Sequence, residues 1–204
     1  NERVRIAGQE ADDSLLVHGF EQVERARLQA PDISLTYFEA GTLCGLWCLA
    51  NAALDLAVLE VGLGGRLDAV NIIDADVAIV TTIAQDPANV LGNDLAQIGR
   101  EKAGIFRAGK PAVLGSQTLP ASVAECAQSL PAPTFTLGQQ FDHQTMGEEP
   151  ATWRWHGQRS DGECFTIDEL PDPGLPIDNA ATALQALVLA ETKLIPAHVR
   201  EGLA

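Results

Sequence analysis

Apolar positions along the chain change their period several times, and each change predicts an element. Behind Asp12 and Asp13, Leu16, Phe20 and Val23 follow at spacings of four and three, which predicts an amphipathic helix over 12–28. A loop through Pro31 follows. Thr36-Tyr-Phe-Glu39 has the form of a capping box, and Leu43, Leu46, Trp47, Ala50 and Leu54 keep the helical period, so a second helix is expected from about 36 to 53. Ala40, Gly41 and Gly45 leave one of its sides thin enough to lie close to a sheet. Leu56 to Val61 and Val77 to Ile83 are short and nearly continuous in apolar residues, as strands buried on both faces of a parallel sheet are. Helical spacing returns at Asp94 to Phe106 through Leu95, Ile98, Lys102 and Ile105; Pro111 to Leu114, 121–130 and Thr134 to Leu137 then read as strand, helix and strand. This alternation predicts an α/β fold, a mostly parallel open sheet flanked by helices.

From Gly138 the character changes. Phe141 to Glu149 is polar, and Thr152 to His156 and Glu163 to Ile167 alternate around Gly157-Gln-Arg-Ser-Asp-Gly162, which predicts an antiparallel hairpin inside a small appendage over 138–170. Asp178-Asn179 precedes an expected helix over Ala180 to Glu191, and Pro196 opens a last short one. The whole of 1–204 is expected to belong to one α/β domain carrying that appendage.

Composition narrows the class. With 204 residues, 46% of them hydrophobic, the chain can bury a sizeable core. Its formal charge of -15 repels a phosphate backbone, so no nucleic-acid partner is expected. Cys44 and Cys48 fall on one apolar helical stretch and read as small buried side chains of a protein from a reducing compartment. No run of 18 apolar residues and no signal-like start occur, which gives the expectation of a cytoplasmic protein with no membrane partner. The chain starts on Asn1 rather than methionine, inside a polar and apolar alternation, and is expected to be a piece of something longer.

Candidate chemistry gathers after the apolar runs, since open parallel sheets bind ligands beyond their carboxyl ends. Gly62, Gly64 and Gly65 do not make a dinucleotide fingerprint, because Leu67 stands where the third glycine belongs. The one Gly-Lys, Gly109-Lys110, is followed by Pro111 rather than a hydroxyl residue, so no phosphate loop is present. Glu60 reads either as a magnesium ligand or as a carboxylate that caps the next turn or pairs with Arg66. Asp68 and Asn71 either orient the same ligands or bond their own loop. Lys102 falls within the apolar period of its helix and otherwise snorkels to solvent or pairs with Glu101 or Glu60. The four histidines show no ligand spacing, and no nucleophile elbow is present.

Five segments in order resemble a known family. They are Asn1-Glu-Arg-Val-Arg-Ile6, Leu35-Thr-Tyr-Phe-Glu39, Leu59-Glu-Val-Gly-Leu-Gly-Gly-Arg-Leu-Asp-Ala-Val-Asn71, Ile98-Gly-Arg-Glu-Lys-Ala-Gly-Ile-Phe106 and Asp178-Asn-Ala-Ala-Thr-Ala-Leu184. The chain is similar to the bacterial bifunctional dihydrofolate synthase/folylpolyglutamate synthases of the Mur ligase superfamily, and resembles part of their central ATPase-like domain. The resemblance implies an ATP-dependent amide ligase that phosphorylates a carboxylate of dihydropteroate or of a folate's glutamate tail. The amine of glutamate then displaces phosphate from the acyl phosphate.

The resemblance also implies roles by position. Glu60 matches the family's magnesium-binding glutamate, and Lys102 the lysine that is carbamylated there. Asp68 and Asn71 match the loop lining the metal and pterin side, Phe38 and Glu39 the helix start near the folate cleft, and Asn179 the asparagine near the adenine. Glu39 reads equally as a capping residue and nothing more. The family's phosphate-loop unit is expected upstream of Asn1, and its carboxy-terminal domain beyond Ala204. Where the family has Asp-His, this chain has Asp86-Pro87, and proline has no side-chain ligand atom. Either Asp86 approaches the metal instead, or this copy is degenerate. The expectation is therefore that Mg2+, ATP, glutamate and dihydropteroate or folate serve the whole ligase, while this chain alone binds no cofactor productively, has an unmodified Lys102 and is inactive. Glu60, Lys102 and Asp86 are expected to converge on one cleft, and self-association through uncovered apolar surface is expected. The alternative is a noncatalytic relative that acts as a pterin-binding or scaffold module.

Overall fold

The computed structural model describes residues 3–29, 32–84, 94–148 and 151–204, in two units: Asn1–Gly62 with Asp68–Ile72, and Leu63–Leu67 with Ile73–Ala204. In the first, β1 (Arg5–Ile6) and β2 (Gln9–Glu10) form a small antiparallel pair ahead of α1 (Asp13–Leu28) and α2 (Tyr37–Ala50). The expected capping box at the start of α2 is present. Glu39 N–H donates to Thr36 Oγ1 at 3.2 Å while Glu39 Oε2 accepts from Thr36 N–H at 2.7 Å, so two backbone donors of the first turn are satisfied. At the other end the Asn51 side-chain amide donates to Trp47 O at 2.8 Å, and α2 stops at Ala50 rather than running on to 53. A 3₁₀ turn over Ala69–Ile72 completes this unit.

The second unit contains the parallel layer. Strands β3 (Ala78–Val80), β4 (Ala112–Leu114) and β5 (Thr134–Thr136) lie side by side in sequence order, with Ala78 opposite Ala112 and Ala112 opposite Thr134. Helices α3 (Leu95–Ala103) and α4 (Ala121–Ser129) make the two connections. The apolar continuity of β4 follows from its two covered faces. Ala112 and Leu114 join Ala103, Phe106, Val123 and Ala127 in one core, while Val113 joins Phe135, Trp153, Trp155 and Leu184 in another.

Strands β6 (Asp142–Met146), β7 (Thr152–Gln158) and β8 (Cys164–Leu170) form an antiparallel sheet in that order. With α5 (Ile177–Leu189) and α6 (Pro196–Leu203) it completes the second core. The side chain of Gln185 on α5 is fully buried. Its Nε2 donates to Gln158 O at 2.7 Å and its Oε1 accepts from Gln158 N–H at 3.2 Å, which pins the hairpin to the helix. Trp155 Nε1–H donates to Ala181 O at 3.1 Å and does the same. No helix among the described residues is long and apolar enough to cross a membrane.

The structure departs from the sequence expectation in three further places. Leu56 to Val61 is neither strand nor helix, because a strand exists only by pairing and no described strand pairs with it; Val58 is 85% exposed. The polar stretch after Phe141 contains β6, whose alternation is hidden because His143 and Thr145 carry the pairing with Trp155 and Trp153. Asp178 and Asn179 lie inside the first turn of α5 rather than ahead of it, where the acidic Asp178 complements the helix dipole.

Candidate functional site

Within the first unit the structure brings Phe38, Gly62 and Asp68 together. Asp68 closes the glycine loop on itself: Gly62 N–H donates to its Oδ2 at 3.0 Å, Val70 N–H to its Oδ1 at 3.0 Å, and Asn71 N–H to its backbone oxygen at 3.0 Å. One carboxylate thus ends the loop and starts the 3₁₀ turn that carries Asn71. The ring of Phe38 lies close to the loop: a Cβ on Gly62 would sit 2.7 Å from Cζ, so a side chain there would push the ring aside. Glu39, beside it on α2, commits its carboxylate to Thr36. That backbone hydrogen bond, and then the Thr36 hydroxyl, hold the Glu39 carboxyl below the ordinary carboxylate value.

Glu60 is exposed and makes no hydrogen bond or ion pair among the described residues. A carboxylate left open in this way suits a hard divalent cation, which takes oxygen ligands. Among the described residues no three His, Cys, Asp or Glu side chains converge into a set that holds a metal ion. Asp86 and Pro87 lie outside the described residues.

Within the second unit, Leu63–Leu67 is fastened to the carboxyl end of α3. Arg66 N–H donates to Glu101 O at 2.9 Å, and the Arg66 guanidinium pairs with Glu101 Oε1 at 3.0 Å. Gly65 is buried against the same turn, where a Cβ would lie 2.7 Å from Glu101 O and 3.0 Å from Lys102 O. Two segments about 35 residues apart are thereby locked together, and the turn they fix carries Lys102. Glu101, one of the two partners considered for Lys102, is engaged by Arg66. The lysine side chain is half-buried and has no ion pair among the described residues.

Asn179 sits exposed in the first turn of α5, its N–H donating to Pro176 O at 2.9 Å. Beside it His143 Nε2 and Asp178 Oδ1 are 2.6 Å apart, and the His143 ring meets Trp153 edge-on at 6.3 Å. Sequence reasoning missed this pair and the Arg66–Glu101 pair. Each joins residues about 35 positions apart, and no local spacing reports such a contact. Phe38, Glu39, Glu60, Asp68 and Asn71 belong to the first unit, Lys102 and Asn179 to the second.

No family model matches the chain. It is 46% identical over 203 residues to the dihydrofolate synthase/folylpolyglutamate synthase of Escherichia coli (strain K12), covering 100% of this chain and 46% of that relative. The folylpolyglutamate synthase of Lacticaseibacillus casei is 33% identical across 100% of this chain and 50% of its own length. Among solved structures, E. coli FolC in complex with DHPP and ADP superposes with a TM-score of 0.88 at 45% identity, over 100% of this chain and 46% of that one. A bifunctional folylpolyglutamate synthase/dihydrofolate synthase with Mn, AMPPNP and L-glutamate bound gives a TM-score of 0.85 at 46% identity, over 99% and 47%. The chain spans about half the length of the relatives it matches.

Proposed function

We infer that this chain, a homologue of part of the bacterial bifunctional dihydrofolate synthase/folylpolyglutamate synthases in the Mur ligase superfamily, is a portion of an ATP-dependent glutamate ligase of the cytoplasm. The observation that carries the reading is likeness along the whole chain at 46% identity and a TM-score of 0.88. Local geometry supports it: the glycine loop is closed by Asp68, and the Lys102 turn is gripped by Gly65 and Arg66. On this reading residues 1–204 form a partial central domain in which 138–170 is an appendage, and the phosphate-loop unit lies in another part of the ligase.

The reaction joins glutamate to a pterin-linked or folate carboxylate. The carboxylate takes the terminal phosphoryl group of ATP and releases ADP; the glutamate amine then attacks the acyl carbon, phosphate leaves, and the amine gives up a proton. Catalysis of this kind is positioning plus stabilisation of charge. A divalent cation, when bound, neutralises the transferring phosphoryl group, and Glu60 would hold it, with Asp86 as the second candidate ligand. Asp68 keeps the loop after Glu60 in one conformation and holds Asn71 in the following turn. Phe38 would supply an apolar wall on the folate side, and Asn179 would meet the base of the nucleotide. Lys102 is the position at which a carbamate would turn a cation into an anion.

The test is phosphate release from ATP with dihydropteroate and glutamate. The 204-residue chain is expected to show none, and the chain joined to the remaining half of the E. coli relative to show turnover that Glu60→Gln and Lys102→Met each abolish. Turnover by the chain alone, or activity of the joined protein untouched by both substitutions, overturns the reading. Pro87 favours a second reading, a noncatalytic pterin-binding or scaffold module. It prevails if the joined protein binds dihydropteroate but never turns over, with Pro87→His included.

A further inference from the structure

Two sulfurs in the first unit are unused by any of this chemistry. Cys44 and Cys48 stand one helical turn apart on α2, 1% and 0% exposed, facing the middle of α1. Cys44 Sγ donates to Leu16 O at 3.4 Å and Cys48 Sγ to Leu15 O at 3.8 Å, so both thiols spend their protons on carbonyls of α1. They flank one point: a Cβ on Gly19 would lie 2.6 Å from the first sulfur and 3.3 Å from the second. The two helices touch here because α1 has no side chain at that position.

We propose that Cys44 and Cys48 form a buried dithiol site that takes one trivalent arsenic centre, bridging both sulfurs and unseating α1 from α2. Side chains four apart on a helix have Cβ atoms roughly 5–6 Å apart, whereas a disulfide needs about 3.5–4.5 Å. A direct sulfur–sulfur bond therefore demands a distorted helix, while a single soft atom between the sulfurs spans the gap. Soft thiol ligands select soft centres over the hard cations that carboxylates take. In the reaction two As–O bonds of a monosubstituted arsenous acid break and two As–S bonds form. Each thiol proton leaves with a hydroxide as water, and no oxidation state changes.

Burial raises both thiols above their ordinary value, Cys44 to about 11, so neither is a thiolate near neutrality. Reagents that require a thiolate are slow at such a site, while the exposed Cys164 is open to them. A dithiol exchange that expels water does not share that requirement. Reaching the sulfurs requires α1 to lift, and the arsenic then occupies space that Gly19 fills at present. The helix cannot return.

The chain would be treated with phenylarsine oxide at neutral pH while helicity is followed by circular dichroism, then mapped by mass spectrometry. The expected result is one adduct per folded chain that shields Cys44 and Cys48 together from later alkylation in urea, and that dimercaptopropanol reverses. Cys44→Ser and Cys48→Ser should each lose it, and the Cys126→Ser/Cys164→Ser double variant should keep it. Since a buried serine can loosen the unit, Gly19→Ala is a second test with both thiols intact. Its Cβ crowds Cys44 Sγ, and adduct formation should accelerate several-fold. Adducts on Cys126 or Cys164, separate single-thiol adducts, an adduct that forms only in urea, or an unchanged rate in Gly19→Ala would each overturn the proposal.

Discussion

Gly65→Ala probes the grip on the Lys102 turn directly. The added methyl would meet Glu101 O at 2.7 Å, Lys102 O at 3.0 Å and Lys102 Cα at 3.1 Å, all backbone atoms that no rotamer change can move aside. The first of these oxygens also accepts the Arg66 N–H at 2.9 Å, so relief of the clash lengthens the bond that fastens the loop. Overpacking of this kind costs about 1–3 kcal/mol, and a weakened backbone hydrogen bond adds about 1 kcal/mol. For a chain of this size each kcal/mol lowers Tm by about 2–4 °C, so a total of about 2–4 kcal/mol should lower the melt by about 4–16 °C. Gly41→Ala is the matched control, since a Cβ on Gly41, within helix α2, meets nothing within 4 Å. There alanine removes the helix penalty of glycine and should stabilise by up to about 1 kcal/mol. Differential scanning calorimetry of both variants decides the matter. A Gly65→Ala melt within a degree of the parent would refute the close packing of loop on helix.

Other expectations follow from single contacts. Ser122 Oγ is buried with no hydrogen-bond partner among the described residues, so Ser122→Ala should be neutral or stabilising by about 1 kcal/mol in urea unfolding. Asp68→Asn keeps one acceptor and loses the charge that serves two backbone N–H groups, and should cost about 1–2 kcal/mol while changing amide exchange at Gly62 and Val70. The Cys44 thiol titrates at about 11 in the folded chain against an ordinary 9.0, so the unfolded chain loses its proton first. Stability from this group is intact below pH 9 and falls between the two values at about 1.4 kcal/mol per pH unit; since Cys48 is raised as well, Cys44→Ala should reduce the slope of melts recorded over that range and Cys44→Ala/Cys48→Ala should remove the part due to the thiols. Gln185→Leu strands the N–H and carbonyl of Gln158 and should cost about 2–4 kcal/mol, seen as early loss of the Trp155 fluorescence signal.

The elements legible in the sequence were those whose signal is local. The capping box Thr36 to Glu39 and the periods of α1, α3 and α4 each lie within a few turns, and all of them form. The β7–β8 hairpin announced itself by alternation around a glycine-rich turn. β6 did not, because its residues are polar and its partner face is made of tryptophans eight and twelve positions away. The apolar run at 56–61 was legible as something to be covered, but pairing depends on a neighbour, and periodicity carries no information about whether one is there. Among the candidate residues, the family resemblance singled out Glu60 and Asp68 in the first unit and Lys102 in the second. The grip of Arg66 on Glu101 and of His143 on Asp178 required folding to appear.

The run Leu56-Ala-Val-Leu-Glu-Val61 has a consequence for handling the protein in solution. A run of apolar residues interrupted by one charge, with Leu56 and Val58 facing solvent and no ladder partner among the described residues, is a template for growth by a second chain. Glu60 is the single charge within it, and there it acts as a gatekeeper whose repulsion between stacked copies opposes fibril growth. Neutralising Glu60 to probe metal affinity therefore also removes the colloidal brake on this segment. Light scattering of Glu60→Gln should rise with concentration well before that of the parent, and Glu60→Asp, which keeps the charge, should restore solubility whatever it does to the metal.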